Sequence, residues 1–342
     1  MSNGPGPGGR VVTLTANPSL DRTLDLPAPL ERGAVTRLGV SHTEPGGKGV
    51  NVSRAIAAAG ADVVSVLPAA EDDPVVRALH GLGLALATVP IGTAVRTNYT
   101  LTEPDGTTTK LNEPGAQLDP VTLAALEVTV HRHAVGARWV VLSGSLPPGA
   151  PTDWYATLVR SLRSTGARIA VDTSEAPLLA LLAAGPDAAP DLLKPNTEEL
   201  AQLAGVPEES VTSDRDAALA AVAVLHRRGV AEVLLTLGGD GAVLSTADGG
   251  LWSARPPRTT VRSTVGAGDS SLAGYVLADL AGLPPADRLR HAVAYGSASA
   301  ALPGSAVPTP AQADPAAVTV TPGLPAPVPR AEAVPAVGAP TR

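Results

Sequence analysis

Short apolar runs of strand length alternate with helix-length segments along most of this chain, and that alternation restricts its fold more than any other feature. Val11 to Ala16, Val63 to Leu67, Trp139 to Ser143, Arg168 to Asp172, Asp191 to Leu193 and Val233 to Leu237 read as buried strands. Helical patterns lie between them at 49–59, 74–82, 120–135, 152–165, 176–184, 197–204, 215–228 and 269–281. Strands buried on both faces need helices on both sides. The pattern therefore predicts an α/β fold with a mostly parallel central sheet covered by helices on each face. Ligands in such sheets bind beyond the carboxyl ends of the strands, so the loops there are where chemistry is expected.

Two regions depart from this rhythm. Thr93 to Thr102 and Thr107 to Glu113 each alternate, and Glu103-Pro104-Asp105-Gly106 between them reads as the turn of a hairpin. On its first strand Arg96 and Asn98 share a face; on the second Lys110 and Asn112 do. Residues 22–45 lack helical periodicity and carry Pro27, Pro29 and Gly33. Segments 22–45 and 92–114 are therefore predicted to form a small β lid beside an α/β body spanning 10–318. The Gly- and Pro-rich residues 1–9 are predicted to be disordered, and the Pro/Ala-rich residues 319–342 to form a flexible tail.

Composition narrows the partners. The 342 residues carry a formal net charge of −7, no cysteine, no phenylalanine and only 2% aromatics. Nucleic acid and anionic membrane are disfavoured as main partners, stacking platforms are scarce, and thiol chemistry is excluded. No apolar run reaches bilayer length and no signal pattern opens the chain, so a cytoplasmic protein is expected.

Glycine-rich loops carry the chemistry. Gly266-Ala267-Gly268-Asp269 follows a strand-like run, Thr259 to Thr264, and opens a helical one. Its bare backbone N–H groups and the helix N-terminus favour an anion, and Asp269 can accept a proton from a hydroxyl; together they suit phosphoryl transfer to an alcohol. Taken alone, Asp269 also fits a helix first-turn residue. The helix terminus is expected to keep it ionised. Gly46-Gly47-Lys48-Gly49-Val50-Asn51 is a second such turn, though it lacks the spacing of a P-loop. Of 25 Lys plus Arg, three are lysine: Lys48, Lys110 and Lys194, and two of these sit in glycine or proline turns. A compact ammonium suits a moving phosphate. Asn196 and Glu199 have capping-box spacing, compatible with a second task for Glu199 at a magnesium-bound water. Ser143 to Gly149 and Gly238-Gly239-Asp240-Gly241 are small-residue loops after buried strands, the latter also readable as a hairpin turn into Ala242 to Ser245. The six histidines show no metal-site spacing.

These residues together resemble the ribokinase-like, or PfkB, family of carbohydrate kinases from about Val11 to Pro310. The two signatures are Gly46 to Asn51 and Ser263-Thr264-Val265-Gly266-Ala267-Gly268-Asp269, about 220 residues apart. Thr15-Ala16-Asn17-Pro18-Ser19-Leu20-Asp21, Ser143 to Pro147 and Leu193-Lys194-Pro195-Asn196 are similar to the branch acting on fructose 1-phosphate or tagatose 6-phosphate. Ser263, where many members carry Asp, also favours that branch.

The resemblance implies Asp269 as catalytic base, with Gly266, Ala267 and Gly268 as the anion hole. It implies Asp21, Gly46, Gly47, Lys48, Asn51 and Ser145 at the sugar, and Arg96 at the phosphate already on the substrate, helped by Lys48. Lys194, Asn196 and Glu199 would serve ATP and Mg2+, with Glu199 reaching the metal through water, while Thr236, Gly238 and Gly241 would line the nucleotide site. It also implies a homodimer through the lid. The expected reaction is fructose 1-phosphate plus ATP to fructose 1,6-bisphosphate, with tagatose 6-phosphate and fructose 6-phosphate as open alternatives. A catalytically silent sugar-phosphate sensor on the same fold ranks lower, because Asp269 and its glycines are present.

Overall fold

The computed structural model of the protein describes residues 8–39 and 41–324. Its strands are β1 (Arg10–Leu14), β2 (Ser19–Asp25), β3 (Ser41–Gly46), β4 (Val63–Pro68), β5 (Ala85–Val89), β6 (Arg96–Thr102), β7 (Thr108–Asn112), β8 (Ala137–Ser143), β9 (Arg168–Asp172), β10 (Leu192–Leu193), β11 (Glu232–Thr236), β12 (Ala242–Thr246), β13 (Leu251–Arg255) and β14 (Thr319–Pro322). Its helices are α1 (Lys48–Ala58), α2 (Pro74–Gly81), α3 (Pro120–Ala134), α4 (Trp154–Leu162), α5 (Glu175–Ala183), α6 (Thr197–Ala204), α7 (Glu208–Ser213), α8 (Arg215–Arg227), α9 (Ala267–Leu280) and α10 (Pro285–Ala300).

The large sheet runs β14-β13-β12-β11-β10-β9-β8-β1-β4-β5. From β5 to β11 neighbouring strands are parallel, and β12, β13 and β14 add on antiparallel. Both faces are covered. Val12, Leu14, Val140, Leu142, Ile169 and Val171 pack in one core with Leu126 and Leu158. Their alternate neighbours Val11, Trp139, Val141 and Ala170 pack in a second core with Leu272, Tyr275 and Val293. The period-two alternation of a strand feeding two apolar layers explains why these strands read as continuous apolar runs.

The lid is a four-stranded sheet of order β3-β2-β6-β7, with β2 and β6 parallel and the outer pairs antiparallel. The hairpin expected at 93–113 is β6–β7, with Asn98 opposite Asn112 and Thr100 opposite Lys110.

Three expectations need correction. Thr259 to Thr264 is not a strand; after β13 the chain is irregular up to α9, because Pro256 and Pro257 have no N–H to continue a ladder. The tail was expected from 319, but Thr319–Pro322 pairs with Trp252 to Arg255 as the sheet's edge, and Ser253 Oγ and Thr321 Oγ1 lie 3.0 Å apart. Prolines are tolerated on such an edge. Residues 325–342 lie outside the described residues. Of the N-terminal nine, residues 1–7 also lie outside them, while Gly8 and Gly9 are placed and run beside Leu280 and Arg138 into β1. β5, β13, α7 and α10 were not read from sequence.

α9 is pinned at its far end. Asp279, 2% exposed, accepts from Trp139 Nε1 (2.8 Å) and pairs with Arg168 (2.8 Å) and Arg288 (3.0 Å). A buried carboxylate with this many donors is compensated, and removing it would leave the arginines uncompensated. This end is opposite the strands' carboxyl ends, so the anchor sets the N-terminus of α9 without entering the site.

Candidate active site

The loops after β1, β8, β9 and β10 and the N-termini of α1 and α9 meet at one edge of the sheet. Gly266 takes φ 78°, the left-handed region, and lets the chain turn into α9 so that Asp269 falls in the first helical turn. Asp269 is 6% exposed and accepts a hydrogen bond from Asn51 Nδ2 at 2.9 Å. The two signatures, 218 residues apart, thus meet side chain to side chain. Gly47 plays the matching role at α1, with φ 106°. At Gly46 the requirement is space: a Cβ there would run into the Asp21 carboxylate.

The helix terminus does not govern Asp269 as the sequence suggests. Burial, then the charge of Asp172, pushes its carboxyl up to about 6, against the pull of Lys48, Asn51 and Lys194. Asp269 is therefore still mostly ionised at neutral pH, but it holds a proton far better than a free carboxylate does, as a general base requires.

Asp172 is the functional residue that sequence reasoning missed. It ends β9, its side chain is 1% exposed, and it holds both site lysines: Lys48 Nζ at 2.8 Å from Oδ1 and Lys194 Nζ at 3.1 Å from Oδ2. Burial alone would raise its carboxyl, but Lys194 and Lys48 outweigh that and keep it below the ordinary range. Burial alone would likewise lower the Lys48 ammonium, but Asp172 and Asp269 hold it above its ordinary value. The two loop lysines thus meet, held together by one carboxylate. Lys194 also reaches the anion cradle: a Cβ at Gly268 would lie 3.2 Å from its Nζ. The only sequence signal for Asp172 was its place at the carboxyl end of a predicted strand. Three residues on, Glu175 has φ 57°, a conformation no other non-glycine residue adopts among the described residues.

Asn196 and Glu199 form the capping box in full, Glu199 N to Asn196 Oδ1 at 2.7 Å and Asn196 N to Glu199 Oε2 at 2.9 Å. Glu199 is 8% exposed and burial raises its carboxyl. A parallel bridge from Asn196 to Thr236 extends the β10–β11 pairing past the strand ends. Gly238–Asp240 is a single 3-10 turn between the antiparallel β11 and β12, so the hairpin reading of that loop holds.

Beside this lies a cleft of about 800 Å³, large enough for a nucleotide. Asn196, Thr236, Gly238, Gly241, Ala267 and Gly268 line it, bringing six predicted residues together. Pro256, Arg258, Val261, Val293 and Ser297 line it too and were not foreseen. Lys194, Glu199 and Asp269 do not line it; they sit on the lysine and anion-cradle side.

The lid residues gather around Asp21. Its Oδ1 accepts from Ser19 Oγ (2.8 Å) and from Asn98 Nδ2 (3.0 Å), its register partner on β6. Arg96 donates to the carbonyls of Glu113 (3.0 Å) and Asn17 (3.2 Å), and Asn17 Nδ2 reaches Ser145 Oγ at 3.4 Å. Arg96, Asn17 and Ser145 are therefore one hydrogen-bonded group at the lid edge. Lys48, expected to help Arg96, is instead paired with Asp172.

A buried carboxylate in the first turn of a helix, a glycine turn, two ammonium groups and a nucleotide-sized cleft on a doubly covered α/β sheet suit an ATP-dependent small-molecule kinase. The chain belongs to the pfkB family of carbohydrate kinases, whose profile matches residues 15–312. It is 37% identical over 316 residues to the 1-phosphofructokinase of Rhodobacter capsulatus, covering 91% of this chain and 97% of that protein. It is 37% identical over 272 residues to the 1-phosphofructokinase of Xanthomonas campestris, covering 79% and 84%. Among solved structures it is similar to phosphofructokinase-2 from Escherichia coli in complex with substrates and products, with a TM-score of 0.81 and 31% identity over 89% of this chain and 97% of that one. Among the described residues no helix is long and apolar enough to cross a membrane.

Proposed function

We propose that this kinase moves the γ-phosphoryl group of ATP onto the 6-hydroxyl of fructose 1-phosphate, giving fructose 1,6-bisphosphate. The 33–37% identity to 1-phosphofructokinases over most of the chain carries the choice of sugar. The buried Asp269 beside the cradle carries the choice of chemistry. Asp269 takes the hydroxyl proton as the oxygen attacks. The Gly266–Gly268 backbone and the ammonium groups of Lys48 and Lys194 hold the developing charge in place, so that little reorganisation is left for the reaction itself. Asp21, Gly46, Gly47 and Asn51 hold the sugar, Arg96 and Ser145 its existing phosphate, and the 800 Å³ cleft the adenosine end of ATP.

The donor set fits Mg2+. Such an ion keeps most of its waters and binds chiefly to phosphate oxygens. Glu199 commits Oε2 to the cap, and its other carboxylate oxygen is available to hold a magnesium-bound water. When bound, the ion would neutralise charge between the β- and γ-phosphates. Lid residues Val35 (86% exposed), Leu111 (55%) and Leu38 (45%) are apolar and uncovered, and we read them as the contact of a homodimer. The same reading places the enzyme in the cytoplasm with its ATP.

Steady-state kinetics with fructose 1-phosphate, tagatose 6-phosphate and fructose 6-phosphate test the proposal. We expect the highest kcat/KM with the first; a higher value with either of the others overturns the assignment, and no turnover on any leaves a sensor. Asp269→Asn should lower kcat by roughly two to four orders of magnitude with the sugar phosphate still bound.

A further inference from the structure

Asn51 meets Asp269 through an amide, and an amide has two unlike ends. If it were turned over, its oxygen would face the carboxylate and repel it. The group that decides its orientation is Arg54, one helical turn further along α1. Arg54 is 8% exposed, and its Nη1 lies 3.3 Å from Asn51 Oδ1. A guanidinium can only donate, so the atom it faces must be the amide oxygen, which leaves the Asn51 NH2 to point at Asp269.

Arg54 is itself held from the lid and from the loop after α10. Nη1 also reaches the carbonyls of Pro45 (3.1 Å) and Ser305 (3.2 Å), and Nη2 pairs with Glu44 at 3.2 Å. Glu44 in turn accepts from Ser305 N (3.1 Å) and Ser305 Oγ (3.0 Å). Glu44 and Pro45 lie on β3, where Glu44 stands opposite the sugar-site residue Asp21 and Pro45 opposite Leu20. The chain of contacts thus runs from lid strand β3 through Glu44, Arg54 and Asn51 to Asp269. One planar guanidinium fork serves all four acceptors, three of them sharing the two N–H groups of Nη1.

We propose that Arg54 is a positioning residue for this kinase: it fixes the Asn51 amide so that Asn51 donates to the base, and it makes the orientation of the base depend on where the lid strand sits. The inference rests on Asp269 being the base. A hydrogen bond to the ionised carboxylate favours that form, so losing it raises the pH at which the base gains its proton. Around Asp269 the other charged groups are Lys48 on α1, Asp172 at the end of β9 and Lys194 after β10, none of which contacts Arg54.

The test uses the full chain with Arg54→Met, Asn51→Ala, the double variant and Asp269→Asn, assayed for kcat, both KM values and the pH dependence of kcat/KM. Arg54→Met should lower kcat about tenfold and shift the acid limb upward by about 0.5–1 pH unit, the size of one hydrogen bond's contribution. In the Asn51→Ala background it should cost little more, because its route to the base is gone. Independent losses that multiply in the double variant, or an acid limb that stays in place, would show Arg54 to be a structural strut and overturn the proposal. Should Arg54→Met not fold, Arg54→Lys keeps the buried charge and the Glu44 pair but not the fork, and the same shift and the same non-additivity are expected of it. Asp269→Asn separates the two readings: if it retains turnover, the base assignment itself fails, whatever Arg54 does.

Discussion

Replacing Asp172 by Asn keeps the shape of the side chain and deletes the charge between two lysines. The cost is set by how far each lysine can turn to water. Lys194 is 6% exposed and cannot, so it becomes a buried, unpaired cation; the Lys48 side chain is 36% exposed and can recover solvent. Breaking one buried pair from one side costs about 3 kcal/mol, the lower end of the usual range. For a chain of this size that lowers Tm by about 5 °C. The deficit should depend on pH. The Asp172 carboxyl lies below its ordinary value in the folded protein, so its contribution is present at neutral pH and is lost as pH falls through the folded-state value. Wild type and variant should therefore converge in Tm on acidification.

Catalysis should suffer more than stability. With two ammonium groups no longer held, kcat/KM should fall about 100-fold, as for a displacement of about an ångström near the reacting atoms. Asp172 also repels the charge on Asp269, so its removal lets the base ionise more readily, and the acid limb, near pH 6 in the wild type, should move to lower pH. Differential scanning calorimetry from pH 3 to 8, with pH–rate profiles from pH 5 to 8, reads all three effects. Turnover within threefold of wild type together with an unmoved acid limb would refute the idea that Asp172 organises the lysines.

Two further perturbations separate the parts. Arg96→Ala should raise KM for the phosphorylated sugar about 10- to 100-fold while leaving KM for ATP nearly unchanged, the loss of a charge-assisted contact to phosphate; equal effects on both substrates would make Arg96 only the clasp between Glu113 and Asn17. A chain ending at Val318 should melt lower than one ending at Leu324, because it loses the β14 ladder on β13; coincident melting curves would mean that this edge strand contributes nothing.

Within the sequence, what repeats locally is legible. Apolar runs that feed two cores through alternate side chains announce a covered parallel sheet, and β1, β4, β8, β9 and β11 appear within a residue or two of where the pattern places them. Glycines that must take positive φ or admit a neighbour mark both helix entries, and Asn196 with Glu199 marks its own cap. β14, four residues in Pro- and Ala-rich surroundings, has no visible period, and only β13 beside it makes it a strand. Arg54 and Glu44 have no local signature, and Asp172 has only its place at the carboxyl end of a strand. Each is an ordinary charged residue in sequence, and each acquires its role only in the folded chain: Asp172 from Lys48 and Lys194, Glu44 and Arg54 from each other, from Asn51 and from Ser305. The pKa of Asp269 belongs to the same class: the helix terminus is a local feature and argues for a low value, but burial and the neighbouring carboxylate of Asp172 exist only once the sheet, α1 and α9 have closed on one another, and they decide the outcome.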